Sequence, residues 1–502
     1  MTQCIIRRRL LLEQSPTVKD TRRLVKTLIT QSGTQLATAI RNKTLRSREA
    51  VDAHIERVLQ VNPRLNAMVR DRFDEARREA DAADDFLKDN PAPADQPFFG
   101  VPCSIKECFA LRGMPNTGGL VSRVGVEVTE DATAVARMRK AGAIPLGVTN
   151  ISELCMWMES NNMVYGRTGN PYNPAHIVGG SSGGEAAIIA AGGAPFGLGS
   201  DIGGSIRMPA FFNGIFGHKP TGGLVPNTGQ FPSEESGDVR YLATGPMARR
   251  CEDIWPLVNI LAGPDGQDHS CLDWPLGDPT SVDLSSLKVY CIPHNGRVKV
   301  SQDVRYAQDR AARALEEAGA NVVWTEIPEL KHSFEIWSAM LKAAGGPTFK
   351  ELMADGKPFH SGLEVLKMVT RRSEHTFPAL GLAILESFTK LTPGRNRKFV
   401  EQGKALRQQL VDLLGTNGIL LYPPYPTTAP RHNRPLFPPF NWVYTAILNV
   451  MELPVTQVPI GFGRSGLPSG IQVGAVHGND HVTVAVAMEL ERQLGGWTLP
   501  VS

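Results

Sequence analysis

Apolar residues in the first 90 positions recur at the spacing typical of helices. Ser47 is placed to cap a helix that ends before Asn62 and Pro63, because serine accepts from free amides at a helix start and proline disfavours helical backbone before it. The apolar face of this helix is predicted to contain Val51, Ile55, Val58 and Leu59. A second helix, charged and rich in alanine, is predicted over about 71–87. The opening segment is therefore predicted to be helical.

Strands and helices alternate further along the chain. Asp131 is predicted to cap a helix through Met138 that Gly142 ends, and the apolar run 144–148 is predicted to be a buried strand. The same patterns predict helices at 185–191 and 301–319, strands at 196–198, 289–292 and 321–324, and a return to the core at 419–423. This alternation is typical of an α/β fold.

A helical insertion is predicted from about residue 331 to 394, where aromatic and aliphatic residues recur with few strand signals. It contains a nine-residue apolar run at 377–385, and Trp337, Met340 and Leu341 precede this run at helical spacing. We expect the run to pack in the core, which is the usual place for such residues. Exposure as an apolar mouth is the alternative.

The composition is that of an ordinary globular protein. Its 502 residues are 42% hydrophobic and 21% charged, which allows a large core. The net charge of +3 is too small to indicate nucleic-acid binding. The arginines at positions 7–9 are expected to lie in a solvated start of the chain. No apolar run approaches the roughly 18 residues of a membrane-spanning helix.

Seven cysteines are scattered from Cys4 to Cys291. Their odd number and wide spacing argue against a secreted disulfide framework and for a reducing compartment. The 11 histidines do not show the spacing of metal sites, and no P-loop motif for nucleotide phosphates is present in the sequence. We therefore predict a cytoplasmic protein that uses neither a metal nor another cofactor.

Two glycine-rich serine motifs carry the candidate chemistry. The first, at 179–184, contains Ser181, and the second, at 201–207, contains Ser205, 24 residues later. Lys106 lies 75 residues before Ser181. A serine hydroxyl is a poor nucleophile at neutral pH unless a base lies within hydrogen-bond reach, and lysine can replace histidine in that role. The histidine nearest to Ser205 in the sequence is His218.

The glycines directly before Ser205 have a separate use. An attacked carbonyl develops negative charge on its oxygen, and backbone N–H groups stabilise this charge best when no side chain blocks their approach. The predicted donors are the main-chain amides of Ile202, Gly203 and Gly204, together with that of Ser205. The second motif therefore combines a candidate nucleophile with a candidate oxyanion hole.

The two serine motifs, their spacing and the lysine together resemble the Ser-Ser-Lys centre of the amidase signature family. The resemblance implies that Ser205 is the nucleophile, that Ser181, after a cis peptide bond, is the bridge, and that Lys106 is the base. Glu185 fits the fatty-acid amide hydrolase branch of this family, especially its second animal form. Further segments that resemble this branch are 144–150, 153–157, 165–167, 208–214 and 229–232.

The resemblance covers most of the chain from about residue 32 and implies the amidase signature fold of the α/β class. In that fold a mixed central sheet is covered by helices on both faces. We expect an N-terminal extension at 1–31 and a single domain at 32–502. The catalytic core would lie at about 90–260 and 415–502, with the helical insertion at about 331–394.

Four further residues are assigned supporting roles. Asp201 and Arg207 flank the nucleophile and are expected to form a buried pair that fixes its loop. Ser182 is expected to hydrogen-bond into the catalytic group. The position of Cys155 matches the acyl-pocket wall of the family, which makes it a candidate for substrate contact, and a plain buried apolar cysteine is the alternative.

The resemblance implies hydrolysis of a small-molecule amide, namely a fatty-acid primary amide or an N-acyl ethanolamide. Short or aryl amides, esters and carbamates are alternative substrates because the same acyl-enzyme chemistry serves them. Two other functions are weighed against this one: a lipid-binding scaffold without turnover, and one chain of a glutamine amidotransferase. The animal fatty-acid amide hydrolases begin with a hydrophobic membrane segment that is not found here, so we expect at most peripheral membrane contact. A homodimer is left open.

Overall fold

An eleven-stranded mixed sheet forms the centre of the protein in the computed structural model, which describes residues 25–233, 240–388, 393–437 and 439–501. The strands are β1 (Met68–Asp71), β2 (Val101–Lys106), β3 (Ala143–Thr149), β4 (Asn161–Asn162), β5 (Gly166–Arg167), β6 (Phe196–Asp201), β7 (Phe216–Lys219), β8 (Ala243–Ala248), β9 (Lys288–Cys291), β10 (Asn321–Trp324), β11 (Gly418–Tyr422), β12 (Val455–Phe462) and β13 (Pro468–Ala475). Their order across the sheet is β1-β3-β2-β6-β8-β7-β12-β13-β11-β9-β10, and β4 pairs with β5 separately.

Helices flank this sheet. They are α1 (Gly33–Arg41), α2 (Ser47–Leu65), α3 (Phe73–Asp89), α4 (Thr133–Lys140), α5 (Gly183–Ala190), α6 (Arg207–Asn213), α7 (Ile254–Leu261), α8 (Gln302–Glu317), α9 (Ser333–Ala344), α10 (Phe349–Ala354), α11 (Ser361–Val369), α12 (Phe377–Phe388), α13 (Pro393–Leu414), α14 (Val443–Val450) and α15 (Asp480–Leu494). The fold is therefore of the predicted α/β class, with a mixed sheet.

The direction of the strands determines where the chemistry is placed. β3, β2 and β6 run parallel to one another, whereas β6, β8, β7, β12 and β13 are successively antiparallel. β2 pairs with β6 through Ser104 with Gly197 and Ile105 with Leu198. Because the carboxyl ends of parallel strands lie at the same edge of a sheet, the ends of β2 and β6 are neighbours.

Several predicted elements are confirmed with small shifts at their ends. The predicted strands at 144–148 and 196–198 lie within β3 and β6, and β10 has the predicted bounds. Among the strands that were not predicted are β1, β7 and β8. Their sequences, MVRD, FGHK and ATGPMA, contain charged residues, glycine or proline, and their pairing with distant strands overrides these weak local preferences.

Ser47 does not cap α2 as predicted. It is the first residue of the helix, and its hydroxyl donates to the Gly100 carbonyl at 2.7 Å, so a tertiary partner has replaced the local one. The predicted end before Asn62 is also wrong, because α2 continues through Pro63. Pro63 lies in the last turn of the helix. The helix ends with a hydrogen bond in which the Asn66 amide donates to the Asn62 carbonyl at 2.7 Å.

Asp131 likewise does not cap α4, which begins at Thr133. One of its carboxylate oxygens accepts from the Arg112 amide at 2.7 Å, and the other accepts from Arg139 at 3.1 Å. Its side chain therefore joins a loop to the far end of the helix. The prediction failed because these two partners are favoured over the amides of the first helical turn.

The predicted insertion contains α9 to α12. In the apolar run 377–385, Ala379, Leu380 and Ala383 are buried, in agreement with core packing, whereas Phe377 is 61% exposed; the side chain of residue 385 lies outside the described residues. The buried positions pack against Leu120 and neighbouring apolar residues. Within the described ranges, none of the helices is both long enough and apolar enough to cross a membrane.

Candidate active site

Lys106 and Ser181 meet at the edge of the sheet. Lys106 is the last residue of β2, and its Nζ donates to Ser181 Oγ at 2.7 Å. Ser181 lies just before α5, after a cis Gly180–Ser181 peptide bond. A side chain at Gly180 would collide with the Trp157 carbonyl, so the loop requires glycine at this position. Both Lys106 and Ser181 are completely buried.

Ser200 is a further partner of the lysine that was not predicted from the sequence. It lies in β6, beside β2, and its hydroxyl accepts from Lys106 Nζ at 2.7 Å, while its carbonyl lies 3.4 Å from the same nitrogen. The lysine nitrogen is therefore held by hydrogen bonds to both Ser200 and Ser181. No motif marks Ser200, because the contact depends on the pairing of two strands that are far apart in the sequence.

Ser205 lies in the turn between β6 and α6, next to Ser181. The Ser182 amide donates to the Ser205 carbonyl at 3.3 Å, and the Ser182 hydroxyl to the Ser200 carbonyl at 3.4 Å, so the two serine motifs are joined through the main chain. Ser205 is 8% exposed, whereas Ser181 and Lys106 are 0% exposed. All three residues are buried, and Ser205 is the one with the largest exposed fraction.

The predicted oxyanion donors precede Ser205 in the same turn. Among the described residues, no acceptor is bound to the amides of Ile202 or Gly203. The Gly204 amide differs, because it donates to the Asp201 carboxylate at 2.6 Å. Gly204 has a φ of +118°, and a side chain there would collide with the Thr445 hydroxyl, so this position requires glycine. Of the three predicted donors before Ser205, those of Ile202 and Gly203 are therefore free to bind a substrate.

Asp201 and Arg207 form the expected ion pair, with both side chains completely buried and 3.0 Å between Arg207 Nη2 and Asp201 Oδ1. Burial opposes ionisation of the carboxyl, but the charge of Arg207 and hydrogen bonds from Arg207 and Asn449 hold the pKa of Asp201 well below its usual range. Arg207 also donates to the Thr445 carbonyl at 3.0 Å and to Asn449 at 2.6 Å. The pair thus ties the nucleophile turn to α14.

Cys155 lies beside the lysine and is half-buried. A hydrogen bond with Cys108 and the charge of Lys106 lower the pKa of the Cys155 thiol to about 6, although burial acts in the opposite direction. Interactions with Ser181 and Lys106 act on this pKa in the same direction as Cys108. The thiol of Cys155 is therefore in the electrostatic surroundings of the predicted catalytic residues and not in a purely apolar part of the core.

Glu185 is buried beneath the site, in α5. It accepts from Ser104 at 2.5 Å and from Thr149 at 2.6 Å, and burial raises the pKa of its carboxyl to about 7. The carboxyl presses against Gly197, where a side chain would collide with it. Glu185 thus links the strand that carries Lys106 to the helix that follows Ser181.

The insertion is attached to the site through Glu153, two residues before Cys155. One oxygen of its carboxylate lies 2.7 Å from His375 Nδ1, and the other accepts from the Thr376 amide at 2.7 Å. A cavity of about 340 Å³ lies between the insertion and this loop and is lined in part by Trp157 and Phe377. The start of α12 is therefore fixed beside the loop that contains Cys155.

Similarity to known proteins extends over nearly the whole chain. The sequence profile of the amidase family matches residues 49–484. The chain is 45% identical to "Fatty-acid amide hydrolase 2" of Homo sapiens over 498 residues, which is 96% of this chain and 92% of that protein. It is 30% identical to a glutamyl-tRNA(Gln) amidotransferase chain of Maridesulfovibrio salexigens over 484 residues, covering 93% of this chain and 98% of that one.

A solved structure of "Fatty acid amide hydrolase" superposes on this chain with a TM-score of 0.78. The superposition covers 94% of this chain and 86% of the other, at 24% sequence identity. At this identity the similarity establishes the common fold, with the mixed sheet and its flanking helices.

Proposed function

Since this chain belongs to the amidase family and is an amide-hydrolysing enzyme, we propose that it hydrolyses fatty-acid amides through a Ser-Ser-Lys triad. The observation that carries the triad is the 2.7 Å contact between Lys106 and Ser181, two completely buried residues, with Ser205 held beside them by the Ser182 amide. An amine that is hydrogen-bonded to a second hydroxyl beside the nucleophile can form a path by which a proton leaves the nucleophile.

In this mechanism Ser205 Oγ attacks the amide carbon of the substrate. The proton of Ser205 passes to Ser181, and the proton of Ser181 passes to the neutral amine of Lys106. Negative charge on the carbonyl oxygen is stabilised by the free amides of Ile202 and Gly203. The path then reverses: Lys106 returns a proton through Ser181 to the leaving nitrogen, the C–N bond breaks, and the acyl group stays on Ser205.

Water completes the reaction in a second step of the same kind. It attacks the acyl carbon and gives its proton to Ser181 and thus to Lys106. The ester bond to Ser205 breaks, the serine regains a proton, and the carboxylic acid leaves. Ser200 keeps the lysine in place during both steps, since its hydroxyl and its carbonyl both accept from Nζ in addition to Ser181.

The assignment of long acyl chains is supported by the 45% identity to a protein named for fatty-acid amides. The amidotransferase alternative is less well supported, because identity to that protein is 30% over a similar length. The apolar insertion next to the site agrees with a hydrophobic substrate. The proposed contact of Cys155 with the acyl group is supported by the influence of Lys106 and Ser181 on the pKa of its thiol.

Hydrolysis of straight-chain primary amides from two to eighteen carbons tests the substrate class. We expect kcat/KM to rise about threefold to fourfold for each methylene that is buried, which corresponds to about 0.8 kcal/mol per methylene. The rise should level off when the acyl site is full. Fastest turnover of acetamide or of aryl amides would keep the amidase assignment and exclude the fatty-acid assignment.

We also propose a peripheral contact between the insertion and a membrane. Leu363, Leu366 and Val369 follow one another at three-residue intervals on α11, and they are 50%, 60% and 77% exposed. Phe377, at the start of α12, is 61% exposed, and Arg371 lies exposed between the two helices. Exposed apolar residues flanked by basic side chains fit the interface of an anionic membrane.

The variant Leu366→Asp is expected to reduce binding to vesicles of phosphatidylcholine and phosphatidylserine by at least about tenfold, because a buried leucine contributes about 1.5–3 kcal/mol. Co-sedimentation measures this partition. The matched control is Leu59→Asp, because Leu59 is 59% exposed on the distant helix α2. Equal vesicle binding by the two variants would refute the contact.

A further inference from the structure

Three consecutive carbonyl groups of the nucleophile turn are held by side chains from the helices behind it. The Asp201 carbonyl accepts from Asn449 Nδ2 at 2.8 Å, and the Gly203 carbonyl accepts from the Thr445 hydroxyl at 2.8 Å. Between them, the Ile202 carbonyl accepts from the indole N–H of Trp337 at 3.2 Å. Asn449 and Thr445 belong to α14, whereas Trp337 belongs to α9 in the insertion.

The hydrogen bond from Trp337 affects the direction of the Gly203 N–H as well as the position of the Ile202 carbonyl. The Ile202 carbonyl and the Gly203 N–H belong to the same planar peptide unit, in which they point in opposite directions. A donor that holds the carbonyl on one side therefore aims the N–H toward the other side. The Gly203 amide is one of the two free donors that precede Ser205, so its direction decides whether it meets the oxygen of a bound substrate.

Trp337 is well supported in this orientation. Its ring meets the ring of Trp442 edge to face, with 4.7 Å between the centroids. A side chain on Gly203 would lie 3.5 Å from Trp442 and 3.8 Å from Trp337, which is ordinary contact, so both rings line the turn closely. Helix α9 packs on α13 and α14. Contact with Trp442 and the packing of α9 on α13 and α14 thus fix the indole.

We propose that Trp337 is a positioning residue of the reaction: its indole N–H holds the Ile202 carbonyl and thereby aims the Gly203 amide at the developing oxyanion. The inference rests on the proposed function, because it concerns the same site. Trp337 does not touch the reacting atoms in this mechanism. Because Trp337 belongs to α9, its hydrogen bond also connects the insertion directly to the nucleophile turn.

The variant Trp337→Phe keeps an aromatic ring and removes the N–H donor. Loss of a whole oxyanion donor costs about 10²–10³ in kcat, and misdirection of one costs less, so we expect kcat to fall about tenfold with KM within a factor of two. A trifluoromethyl ketone with the acyl chain of the substrate forms a tetrahedral adduct with the serine. Its Ki should rise about tenfold, while the Ki of the matching trifluoromethyl carbinol, which forms no adduct, should not change.

Three comparisons separate this role from a loss of packing. Replacing Trp337 with 3-benzothienylalanine retains the size of the ring but not the N–H, and it should reproduce the effect of phenylalanine. Trp442→Phe changes the ring that packs on Trp337 but keeps the Trp337 N–H donor, so it should raise the ketone Ki by less than Trp337→Phe does. Trp324→Phe controls for the replacement of a tryptophan by phenylalanine. Trp324 is 49% exposed and lies at the end of β10.

Equal kcat and equal ketone affinity in wild type and in the benzothienylalanine variant would overturn the inference, as would parallel changes in both Ki values. Failure of the proposed function has a different signature. In that case the wild type itself would lack turnover of fatty-acid amides, or its turnover would not depend on Ser205. Measurement of wild type, Ser205→Ala and the Trp337 variants with one substrate therefore keeps the two hypotheses apart.

Discussion

Replacement of Ser205 by alanine is expected to lower kcat for amide hydrolysis by about 10⁴-fold or more, as for other serine hydrolases that lose their nucleophile. Ser205 supplies the oxygen that forms the acyl-enzyme, and no neighbouring residue can replace it without moving the turn that contains Ile202 and Gly203. Hydrolysis of a chromogenic long-chain anilide measures the loss. The variant should fold normally, because only one hydroxyl is removed and the Ser205 carbonyl still accepts from the Ser182 amide.

Covalent labelling identifies which serine is the nucleophile. A fluorophosphonate should add its mass to the peptide that contains Ser205 in the wild type and should leave Ser205→Ala unlabelled. The matched control is Ser181→Ala, which removes the proposed bridge but keeps the nucleophile, so its label should still appear on Ser205 at a lower rate. Label on Ser181, or near-normal turnover of Ser205→Ala, would show that the assignment of the two serines is wrong.

Replacement of Lys106 by methionine is expected to lower kcat for amides by about 10²–10⁴-fold, the usual contribution of general acid–base catalysis. Methionine fills nearly the same volume, which matters because Lys106 is completely buried. An ester of the same acyl chain should lose less, because an amine leaves only after it is protonated, whereas an alkoxide depends less on that proton. Steady-state kinetics with a matched amide and ester measures both effects.

A matched exchange controls for the loss of a lysine. Lys140 is exposed at the end of α4 and lies outside both serine motifs. Lys140→Met should therefore leave the rates of amide and ester hydrolysis unchanged. Amide turnover of Lys106→Met within a few-fold of wild type would contradict the proposed proton path. Equal losses for amide and ester would contradict the role of the lysine in protonating the leaving nitrogen.

The sequence alone determined the class of the fold and the identity of the chemical groups. The predicted strand at 144–148 follows from a continuous apolar run, because a strand buried on both faces has few other compositions available. The strand at 321–324 lies at the edge of the sheet and is partly exposed, and its two valines and its tryptophan were the signal that predicted it. The serine motifs were identifiable because their glycines and serines are adjacent in the chain. Lys106 could be added through its resemblance to a family pattern, not through any local signal.

The sequence could not reveal which residues support these groups, because their contacts cross long distances along the chain. Ser200 reaches Lys106 only through the parallel pairing of β2 and β6. Trp337 reaches the Ile202 carbonyl across 135 positions. Ser47 and Asp131, which have the sequence signature of helix caps, bind other partners instead, because tertiary hydrogen bonds compete with local ones of similar strength.

The chain thus carries its reactive groups as local motifs, while their geometry depends on the assembled sheet. A motif fixes which atoms are present and what they can do chemically. Whether a hydroxyl is hydrogen-bonded to a buried amine, as at Ser181, depends on the direction of strands and the packing of helices that come from distant parts of the sequence. Hydrogen bonds and burial act between neighbours in space, and only the tertiary structure decides which residues are neighbours.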